Sequence, residues 1–409
     1  MEPRIIVFST LFPNSAQPNA GVFIRERMFR VGKKLPIIVI APTPWFPFQN
    51  IIRKFKPYFR PPTPSHEEQQ GIEVFHPRFF CVPGVFKFMD GFFMALGSVR
   101  LMRKLKKRFD FNVIDAHFAY PDGKAATLLS RWFDVPVTIT LRGTEISHSK
   151  EWLRGGLLKQ SLQDATRIFS VSTSLKKHAV GQGVDSNKIE VVGNGVDTEK
   201  FHPIDMQVAR EKLGLAVNAK VIVTIGGLVE RKGIHRVLNI LPALLKTYPD
   251  LHYLVVGSGG AEGDWTERLK KQVGDLRLQN NVHFLGAKPP EELKIFLSAA
   301  DLFVLSTRNE GWANVLLEAM ACSIPVIASD VGGNSEVINQ PALGTIVPFG
   351  DESALLAAVD DGLTKKWDKA LIQNYAKENS WDSRVDVLVK AFGDIVNNCS
   401  QANKPRANG

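Results

Sequence analysis

The amino-acid sequence predicts an α/β fold made of two doubly wound domains in tandem. Two observations support this prediction. The chain has 409 residues, more than a single hydrophobic core usually serves. Strand-like runs of valine, isoleucine and leucine alternate with amphipathic, helix-like stretches along most of the chain. Uninterrupted apolar runs of this kind are typical of parallel strands that helices cover on both faces.

The strand-like runs fall into two series. The first occupies residues 4–10, 36–42, 112–118, 136–143, 167–172 and 189–195, and the second occupies residues 220–227, 251–258, 282–287, 302–307 and 325–330. Turn residues and Pro203 interrupt the pattern between them, which predicts a domain joint. We therefore expect an N-terminal domain over 1–203 and a C-terminal domain over 204–380. Residues 381–409 are predicted to form a helix that packs back toward the first domain and a disordered tail.

Cysteine content and hydropathy narrow the class of protein. Cys81, Cys322 and Cys399 are too few and too scattered for a disulfide framework or a zinc site. The sequence begins without a secretory signal pattern, and it nowhere has about 18 consecutive apolar residues. These features predict a cytoplasmic protein without a bound metal and without a membrane-spanning helix.

Positive charge is concentrated in the first half of the chain. Residues 1–190 contain 28 lysines and arginines against 15 acidic residues, out of 51 and 41 in the whole sequence. Such an excess is compatible with nucleic acid, with anionic lipid or with an ordinary solvated surface. Because RNA-binding, zinc-finger and helix-turn-helix patterns are missing, we expect no nucleic-acid partner.

An aromatic and basic segment at residues 75–109 departs from the regular alternation. Its helical part is predicted to place one set of apolar side chains on a common face, namely Phe92, Phe93, Leu96, Val99 and Met102. Cations crowd its end, namely Arg103, Lys104, Lys106, Lys107 and Arg108. Two interpretations stay open. One is a core-packed helix whose last turn complements its own dipole, and the other is an interfacial helix that lays residues 92–108 on an anionic membrane surface.

Two glutamates, Glu310 and Glu318, stand eight positions apart in the stretch RNEGWANVLLEAMA. In a single helix they would lie about 12 Å apart, which is too far for the paired acids of a glycoside hydrolase, at about 5 to 9.5 Å. We therefore predict that Glu310 lies in a loop after a strand and that a helix begins near Ala313 or Asn314. The first amides of that helix, around Ala313, Asn314 and Val315, would suit a diphosphate.

A carboxylate on each side of a diphosphate site fits an elongated ligand. A nucleotide-diphosphate sugar has hydroxyl groups at both ends and a diphosphate between them. Glu318 is predicted to accept hydrogen bonds from the ribose, and Glu310 is predicted to accept them from the sugar.

The stretch from residue 308 to residue 336 also resembles the signature of retaining family 4 glycosyltransferases (glycosyl transferases group 1), which have the GT-B fold. The matching residues are Glu310-Gly311, Glu318 to Ala321, Pro325 to Ala328, and Gly332, Gly333 and Glu336. Ser323 stands where the family usually has glycine. The resemblance implies two Rossmann-like domains whose parallel sheets face a central cleft, with the donor in the C-terminal domain and the acceptor in the N-terminal domain. It also implies catalysis without a metal.

Further segments of the second half extend the resemblance. Residues 226–233 are similar to the family's phosphate-binding loop, in which Lys232 keeps its place, Gly227 replaces an arginine and Arg231 is the candidate substitute. Gly257, His283 and Ser306 lie on strands, or at strand ends, that the family places near the nucleotide. The full donor-binding set that the resemblance implies is Gly21, Gly227, Arg231, Lys232, Gly257, His283, Ser306, Gly311, Trp312, Ala313, Asn314, Val315 and Glu318.

Three segments of the first half are also similar to the family. His117, at a predicted strand end, corresponds to an active-site histidine that contacts the donor sugar. Gly21 corresponds to a loop glycine beside the sugar diphosphate. Arg142 and Glu145 lie where the family has an Arg-Gly-Ser/Thr-Asp segment near the acceptor, and Glu145 stands in place of the usual aspartate.

Together these features predict a retaining glycosyltransferase with His117, Glu310 and Lys232 as catalytic residues. The expected donor is a UDP- or GDP-sugar, without a further cofactor. The expected acceptor is a glycan or lipid-linked sugar in envelope or extracellular polysaccharide synthesis, at the inner face of the plasma membrane. A sugar-nucleotide epimerase of the same fold and a catalytically silent sugar-binding partner are the alternatives.

Overall fold

A computed structural model describes residues 1–55, 59–260 and 263–402, and the chain divides into two compact units. The first unit comprises Met1–Asn194 with Trp381–Gly409, and the second comprises Gly195–Ser380. The units divide between Asn194 and Gly195, within the interrupted stretch at residues 194–205 that contains Pro203, and Val196 and Phe201 pack into the core of the second unit. The predicted disordered tail falls largely beyond residue 402 and so lies outside the described residues.

The first unit is built around a mainly parallel sheet. Its strands are β1 (Ile5–Phe8), β2 (Ile37–Ile40), β3 (Thr43–Trp45), β4 (His66–Gln69), β5 (Ile72–Phe75), β6 (Arg78–Phe80), β7 (Val113–His117), β8 (Val137–Leu141), β9 (Arg167–Ser170) and β10 (Ile189–Val191). Its helices are α1 (Val22–Gly32), α2 (Gln49–Phe55), α3 (Asp90–Phe109), α4 (Lys124–Phe133), α5 (Glu145–His148), α6 (Trp152–Asp164), α7 (Thr173–Gly181) and the last helix, α16 (Trp381–Ala402). The sheet order is β10-β9-β8-β7-β1-β2-β5-β4, in which only β4 runs antiparallel to its neighbour, while β3 and β6 form a separate pair.

The second unit is built around a fully parallel sheet. Its strands are β11 (Lys220–Ile225), β12 (Leu251–Val256), β13 (Val282–Phe284), β14 (Leu302–Leu305), β15 (Val326–Ser329) and β16 (Gly344–Val347), in the order β13-β12-β11-β14-β15-β16. Its helices are α8 (Met206–Lys212), α9 (Ile234–Thr247), α10 (Thr266–Asp275), α11 (Leu293–Ala299), α12 (Asn314–Ala321), α13 (Asn334–Val337), α14 (Glu352–Thr364) and α15 (Lys369–Glu378). Aspartate side chains cap α8, α14 and α15 at their first turns.

The predicted α/β class with two doubly wound parallel sheets is confirmed. The strands that the sequence pattern missed are short or polar. The strand β4 has the sequence HEEQ and lies at a sheet edge, where one face remains in water, and β3 and β6 have three residues each. Such segments lack the uninterrupted apolar run on which the prediction depended.

The last helix, α16, belongs to the core of the first unit. Val385, Leu388, Phe392 and Val396 are buried against side chains of the first sheet and α1. The ring of Phe392 contacts that of Phe169 on β9, with 5.8 Å between centroids. The first unit is therefore assembled from two separate stretches of the chain.

The buried face of α3 differs from the one that the core-packed interpretation requires. Met94, Ala95, Ser98, Met102 and Leu105 are buried, whereas Phe92 and Leu96 are 45% and 54% exposed. Small residues produce this arrangement, since a Cβ at Gly91 would lie 2.9 Å from Lys124 and one at Gly97 would lie 2.5 Å from the Arg78 carbonyl oxygen. The helix thus approaches its neighbours through its small side chains and turns aromatic ones outward. Within the described ranges, no helix has both the length and the apolar character that crossing a bilayer requires.

The packing of α16 yields a stability prediction. Phe392→Ala removes a fully buried ring and should lower the free energy of unfolding by about 3–5 kcal/mol, as cavity-forming substitutions do. Val387→Ala, on an exposed position of the same helix, should change it by less than about 0.5 kcal/mol. Urea unfolding of the full chain compares the two variants with the wild type. Equal midpoints for both variants would show that α16 does not contribute to the core.

Candidate functional site

In the second unit, two cations and one carboxylate meet beyond the ends of neighbouring strands. Glu310 lies in the loop between β14 and α12, as predicted, and its Oε1 lies 2.6 Å from Lys232 Nζ and 3.1 Å from Arg231 Nη1. The Thr307 hydroxyl donates to the same oxygen at 3.2 Å. Lys232 and Arg231 lie in the loop after β11, which pairs with β14. The structure therefore brings together three of the predicted residues as one charged cluster, here called the Glu310 cluster.

Backbone contacts fix the loop that carries Glu310. Gly332 has a φ of +56°, and a Cβ there would lie only 1.6 Å from the Glu310 carbonyl oxygen. Any side chain at this position would collide with the loop. The Arg308 amide donates to the Arg231 carbonyl at 2.8 Å, which ties the two loops of the cluster to each other. The turn that follows β15 thus packs directly against the Glu310 backbone.

The helix α12 begins at Asn314, and its N-cap residue, Ala313, contributes no side-chain hydrogen bond. Its positive end therefore remains suited to an anion. The indole Nε1 of Trp312 is buried and has no hydrogen-bond partner among the described residues. Glu318 lies in the second turn of α12, as predicted, and it is half-buried.

The other predicted residues of this unit divide into two groups. Gly227, Gly257 and Ser306 follow β11, β12 and β14, at the carboxyl edge of the sheet where the Glu310 cluster lies. His283 lies on β13, level with Leu254, which is three residues or about 10 Å of strand before Gly257. Its Nε2 lies 3.0 Å from Nδ1 of His252, the second residue of β12.

In the first unit, His117 ends β7 and is fully buried. Its Nδ1 receives a hydrogen bond from Arg142 Nη2 at 2.9 Å, whereas its Nε2 lies 3.3 Å from Asp115 Oδ2 without a hydrogen-bond partner among the described residues. Because a guanidinium only donates, Nδ1 is unprotonated and Nε2 carries the hydrogen toward Asp115. Burial lowers the pKa of His117 to about 4, against the opposing effect of Asp115. The imidazole is therefore neutral at pH 7, with Nδ1 hydrogen-bonded and Nε2 without a hydrogen-bond partner among the described residues.

The two residues predicted on the acceptor side belong to the same cluster as His117. Glu145 is buried, and its Oε2 accepts from the amides of Gly143 at 2.7 Å and Arg142 at 3.2 Å. Its Oε1 accepts from the Ala119 amide at 3.2 Å, so the carboxylate joins the loops after β7 and β8. Burial lowers the pKa of Arg142. Glu145 is thus occupied by backbone amides, and Arg142 by His117.

Gly21 lies at the beginning of α1 with a φ of +69°. A Cβ there would lie 2.3 Å from the Leu11 carbonyl oxygen, so a close approach within the first unit already requires glycine at this position. In the described ranges, no cluster of three or more histidine, cysteine, aspartate or glutamate side chains is arranged to hold a metal ion.

Sequence reasoning missed three buried charged residues of the first unit. Asp115 stands two positions before His117, so strand alternation alone puts both on one face of β7, and that signal was readable. Arg27 on α1 is 1% exposed, and burial lowers its pKa to about 10 although Asp115 raises it. Asp122 is equally buried and accepts a hydrogen bond from the Thr10 hydroxyl at 3.2 Å. No local sequence pattern indicated that Arg27 or Asp122 would be buried.

Each of the two units matches the model of a known protein family. The family model "Glycosyl transferases group 1" matches residues 205–379, and "Glycosyltransferase Family 4" matches residues 58–200. The chain is 30% identical to a D-inositol 3-phosphate glycosyltransferase of Corynebacterium urealyticum, over 70% of this chain and 72% of that protein. It is 28% identical to the Bacillus subtilis protein named as the teichuronic acid biosynthesis glycosyltransferase TuaC, over 82% and 83% of the two chains.

Among solved structures, the chain is similar to sucrose-phosphate synthase from Thermosynechococcus elongatus. That similarity has a TM-score of 0.72 at 20% identity and covers 98% of each chain. Anabaena HepE, solved in complex with UDP and glucose, gives a TM-score of 0.73 at 17% identity, over 96% of this chain and all of that one. At such identities the likeness establishes the shared fold.

Asp122 yields a prediction on pH dependence. Burial raises the pKa of its carboxyl to about 7, whereas the unfolded chain releases this proton near pH 4. The folded chain therefore holds more protons between about pH 4 and 7, and this group makes stability fall as the pH rises through that window. Asp122→Asn removes the effect, so the stability of the variant relative to the wild type should rise with pH, by up to about 1.4 kcal/mol per unit.

Urea unfolding at several pH values between 4 and 8 measures this difference. Asp134→Asn, at an exposed position of the same unit, serves as the control and should differ from the wild type by an amount independent of pH. A pH-independent difference for Asp122→Asn as well would contradict the prediction.

Proposed function

Because the chain belongs to the glycosyltransferases of group 1 and family 4, we propose that it transfers a sugar from a UDP- or GDP-sugar to a glycan or lipid-linked acceptor. The observation that carries this proposal is the Glu310 cluster, in which Lys232 and Arg231 both contact Oε1 of Glu310 at the carboxyl edge of the sheet. The name of the Bacillus subtilis relative supports a product that is an envelope or extracellular polysaccharide.

The diphosphate of the donor is proposed to bind between the Glu310 cluster and the beginning of α12. Lys232 and Arg231 supply two positive charges, and the helix adds the positive end of its dipole. In this proposal Arg231 takes over the contact that Gly227 cannot make. A diphosphate competes with Glu310 for the two cations, and the carboxylate that it displaces is then free to accept hydrogen bonds from the sugar.

Trp312 and Glu318 are proposed to contact the rest of the donor. A buried indole N–H without a partner costs free energy, which favours a ligand acceptor atom beside Trp312. Glu318, on the second turn of α12, is assigned to the ribose hydroxyls. His283 has no part in this assignment, since it pairs with His252.

Retention at the anomeric carbon without a metal belongs to the same proposal. The cations and the helix amides provide the positive charge that the leaving diphosphate needs, which is the task a metal ion performs elsewhere. The acceptor hydroxyl attacks from the side on which the diphosphate leaves. The bond from sugar to phosphate breaks, the bond from sugar to acceptor forms, and a phosphate oxygen takes the hydroxyl proton.

His117 enters the proposal under one condition. Arg142 donates to Nδ1, whereas Nε2 lies 3.3 Å from Asp115 without a hydrogen-bond partner among the described residues, so a sugar hydroxyl has to reach Nε2. Because it is neutral, its Nε2–H is the donor that it offers. A loss of transfer in His117→Ala therefore reports on sugar positioning, not on proton transfer.

Substitution of Lys232 and substitution of Glu310 should have different effects on nucleotide binding, but both should lower sugar transfer. Lys232→Ala should weaken binding of UDP or GDP at least tenfold, because a phosphate loses its cation. Glu310→Gln should leave that affinity unchanged or increase it, because a competitor of the phosphate is removed. Both should lower transfer by about 10²–10³-fold.

Calorimetric titration with UDP and GDP measures the binding, and donor-dependent release of nucleoside diphosphate measures the transfer. Lys246→Ala, at an exposed position on α9, is the matched control. Wild-type binding and turnover by Lys232→Ala would refute the site.

We further propose that the enzyme works at the inner, cytoplasmic face of the plasma membrane. Phe80, Phe86, Phe88, Phe92 and Leu96 form a group of exposed apolar side chains on and near α3, and several of their rings contact one another or Phe93. The last turns of α3 carry exposed cations, including Arg103, Lys104 and Lys107. Exposed aromatic rings next to exposed cations match an interfacial helix on anionic lipid.

Flotation with vesicles tests this placement. The wild type should float with phosphatidylglycerol vesicles and much less with phosphatidylcholine vesicles. Reversal of Arg103, Lys104 and Lys107 to glutamate should lower the bound fraction on anionic vesicles at least tenfold, since each cation near the surface contributes about 1 kcal/mol. Lys366→Glu with Lys369→Glu, on exposed positions of the second unit, is the control. Unchanged flotation of the triple variant would remove α3 as the membrane contact.

A further inference from the structure

A cavity of about 360 Å³ lies in the first unit, and His117, Arg142 and Glu145 do not line it. Its lining includes Thr10, Pro42 and His76, which follow β1, β2 and β5. These three strands are neighbours in the sheet, so the cavity lies at their common carboxyl edge. Ligands of doubly wound sheets bind at this edge, and the volume lies within the range of small-molecule sites.

Three arginines line the cavity without a carboxylate to neutralise them. Arg53 donates to the carbonyl oxygen of Arg60 at 3.1 Å, and Arg60 donates to that of Cys81 at 2.7 Å. The Arg78 side chain makes no hydrogen bond or ion pair to another described residue, and none of the three arginines pairs with a carboxylate in these ranges. Carbonyl dipoles hold such side chains in place but leave their charge uncompensated. The cavity therefore favours an anion, and planar guanidinium groups suit phosphate oxygens.

A neutral polar group and an aromatic ring complete the lining. Gln49 is 7% exposed, and its Oε1 is buried without a hydrogen-bond partner among the described residues. An amide oxygen requires a donor, and a sugar hydroxyl provides one where a phosphate does not. Trp45, partly exposed on β3, adds an apolar surface. The lining thus fits a phosphate that carries a hydroxylated group.

The helix that supplies Gln49 and Arg53 to the cavity presents apolar side chains to the outside. Phe48, just before α2, is 79% exposed, and Ile51 and Phe55 on α2 are 53% and 82% exposed. Large apolar groups this exposed are costly in water. Charge and apolar surface on one short helix match a molecule that is anionic at one end and apolar at the other.

We propose that this cavity binds the phosphate group of a lipid-linked acceptor. Arg53, Arg60 and Arg78 bind the phosphate, Gln49 accepts from the attached sugar, and the apolar side chains of α2 contact the lipid chain. The inference rests on the proposed function in one respect, since it takes the lipid phosphate to be the acceptor. Binding itself does not depend on catalysis, and the two are therefore tested separately.

Equilibrium dialysis of the full chain with decyl phosphate, below its micellar concentration, tests the cavity. Saturating UDP and GDP in the buffer keep the probe out of the donor site. We expect Arg78→Gln to weaken binding at least tenfold. Because the Arg78 side chain is exposed, this substitution should leave the fold intact. Arg131→Gln, an exposed arginine on α4 that does not line the cavity, should bind like the wild type.

Two further probes separate the sources of the phosphate. Decanol should not compete with decyl phosphate, and inorganic phosphate should bind at least tenfold more weakly than decyl phosphate. Equal affinity for both phosphates would overturn the lipid part of the proposal. Wild-type affinity for decyl phosphate in both Arg78→Gln and Arg60→Gln would overturn the cavity assignment.

A separate measurement of nucleoside-diphosphate release distinguishes a failure of the cavity proposal from a failure of the proposed function. Arginine-dependent binding without any donor-dependent release would support the cavity as a lipid-phosphate site and refute the transferase. Transfer to an acceptor with unchanged binding in the arginine variants would support the transferase and refute the cavity.

Discussion

Parallel strands end at one common edge of their sheet, and the charged clusters of this protein lie at such edges because of that constraint. In the second unit β11 and β14 are neighbours, so the loops after them bring Lys232 and Glu310 to 2.6 Å although 78 residues separate them in the chain. In the first unit β7 and β8 do the same for His117 and Arg142. The contacts between charged groups thus depend on strand register as much as on the side chains themselves.

The two charged clusters differ in how they meet the cost of burial. Around His117, the charges are withdrawn from water, and the two carboxylates are held by their neighbours: Asp115 by the Thr138 hydroxyl, and Glu145 by backbone amides. Such a cluster fixes the loops that it joins. The Glu310 cluster remains partly exposed, and its ion pairs are able to exchange partners. The first arrangement favours a fixed framework, and the second favours binding of a ligand.

The sequence predicted most strands and the position of Glu310 because those features are local. Uninterrupted apolar runs marked the buried strands, and the segment from Glu310 to Glu318 kept a recognisable loop-then-helix pattern. The core-packed interpretation of α3 took large apolar residues to mark the core, whereas Gly91 and Gly97 make the close contacts. The lining of the cavity, with Gln49 and Arg78, comes from separate segments whose convergence no spacing rule expresses.

The packing of α16 on the first unit has a consequence for synthesis. Because residues 195–380 form a unit that is continuous in the chain, that unit has all of its core residues before the last helix is made. The core of the first unit lacks Leu388 and Phe392 until residues 195–380 have been synthesised. Domains usually fold in order from the N-terminus, whereas here the second unit has its whole core in the chain before the first unit does.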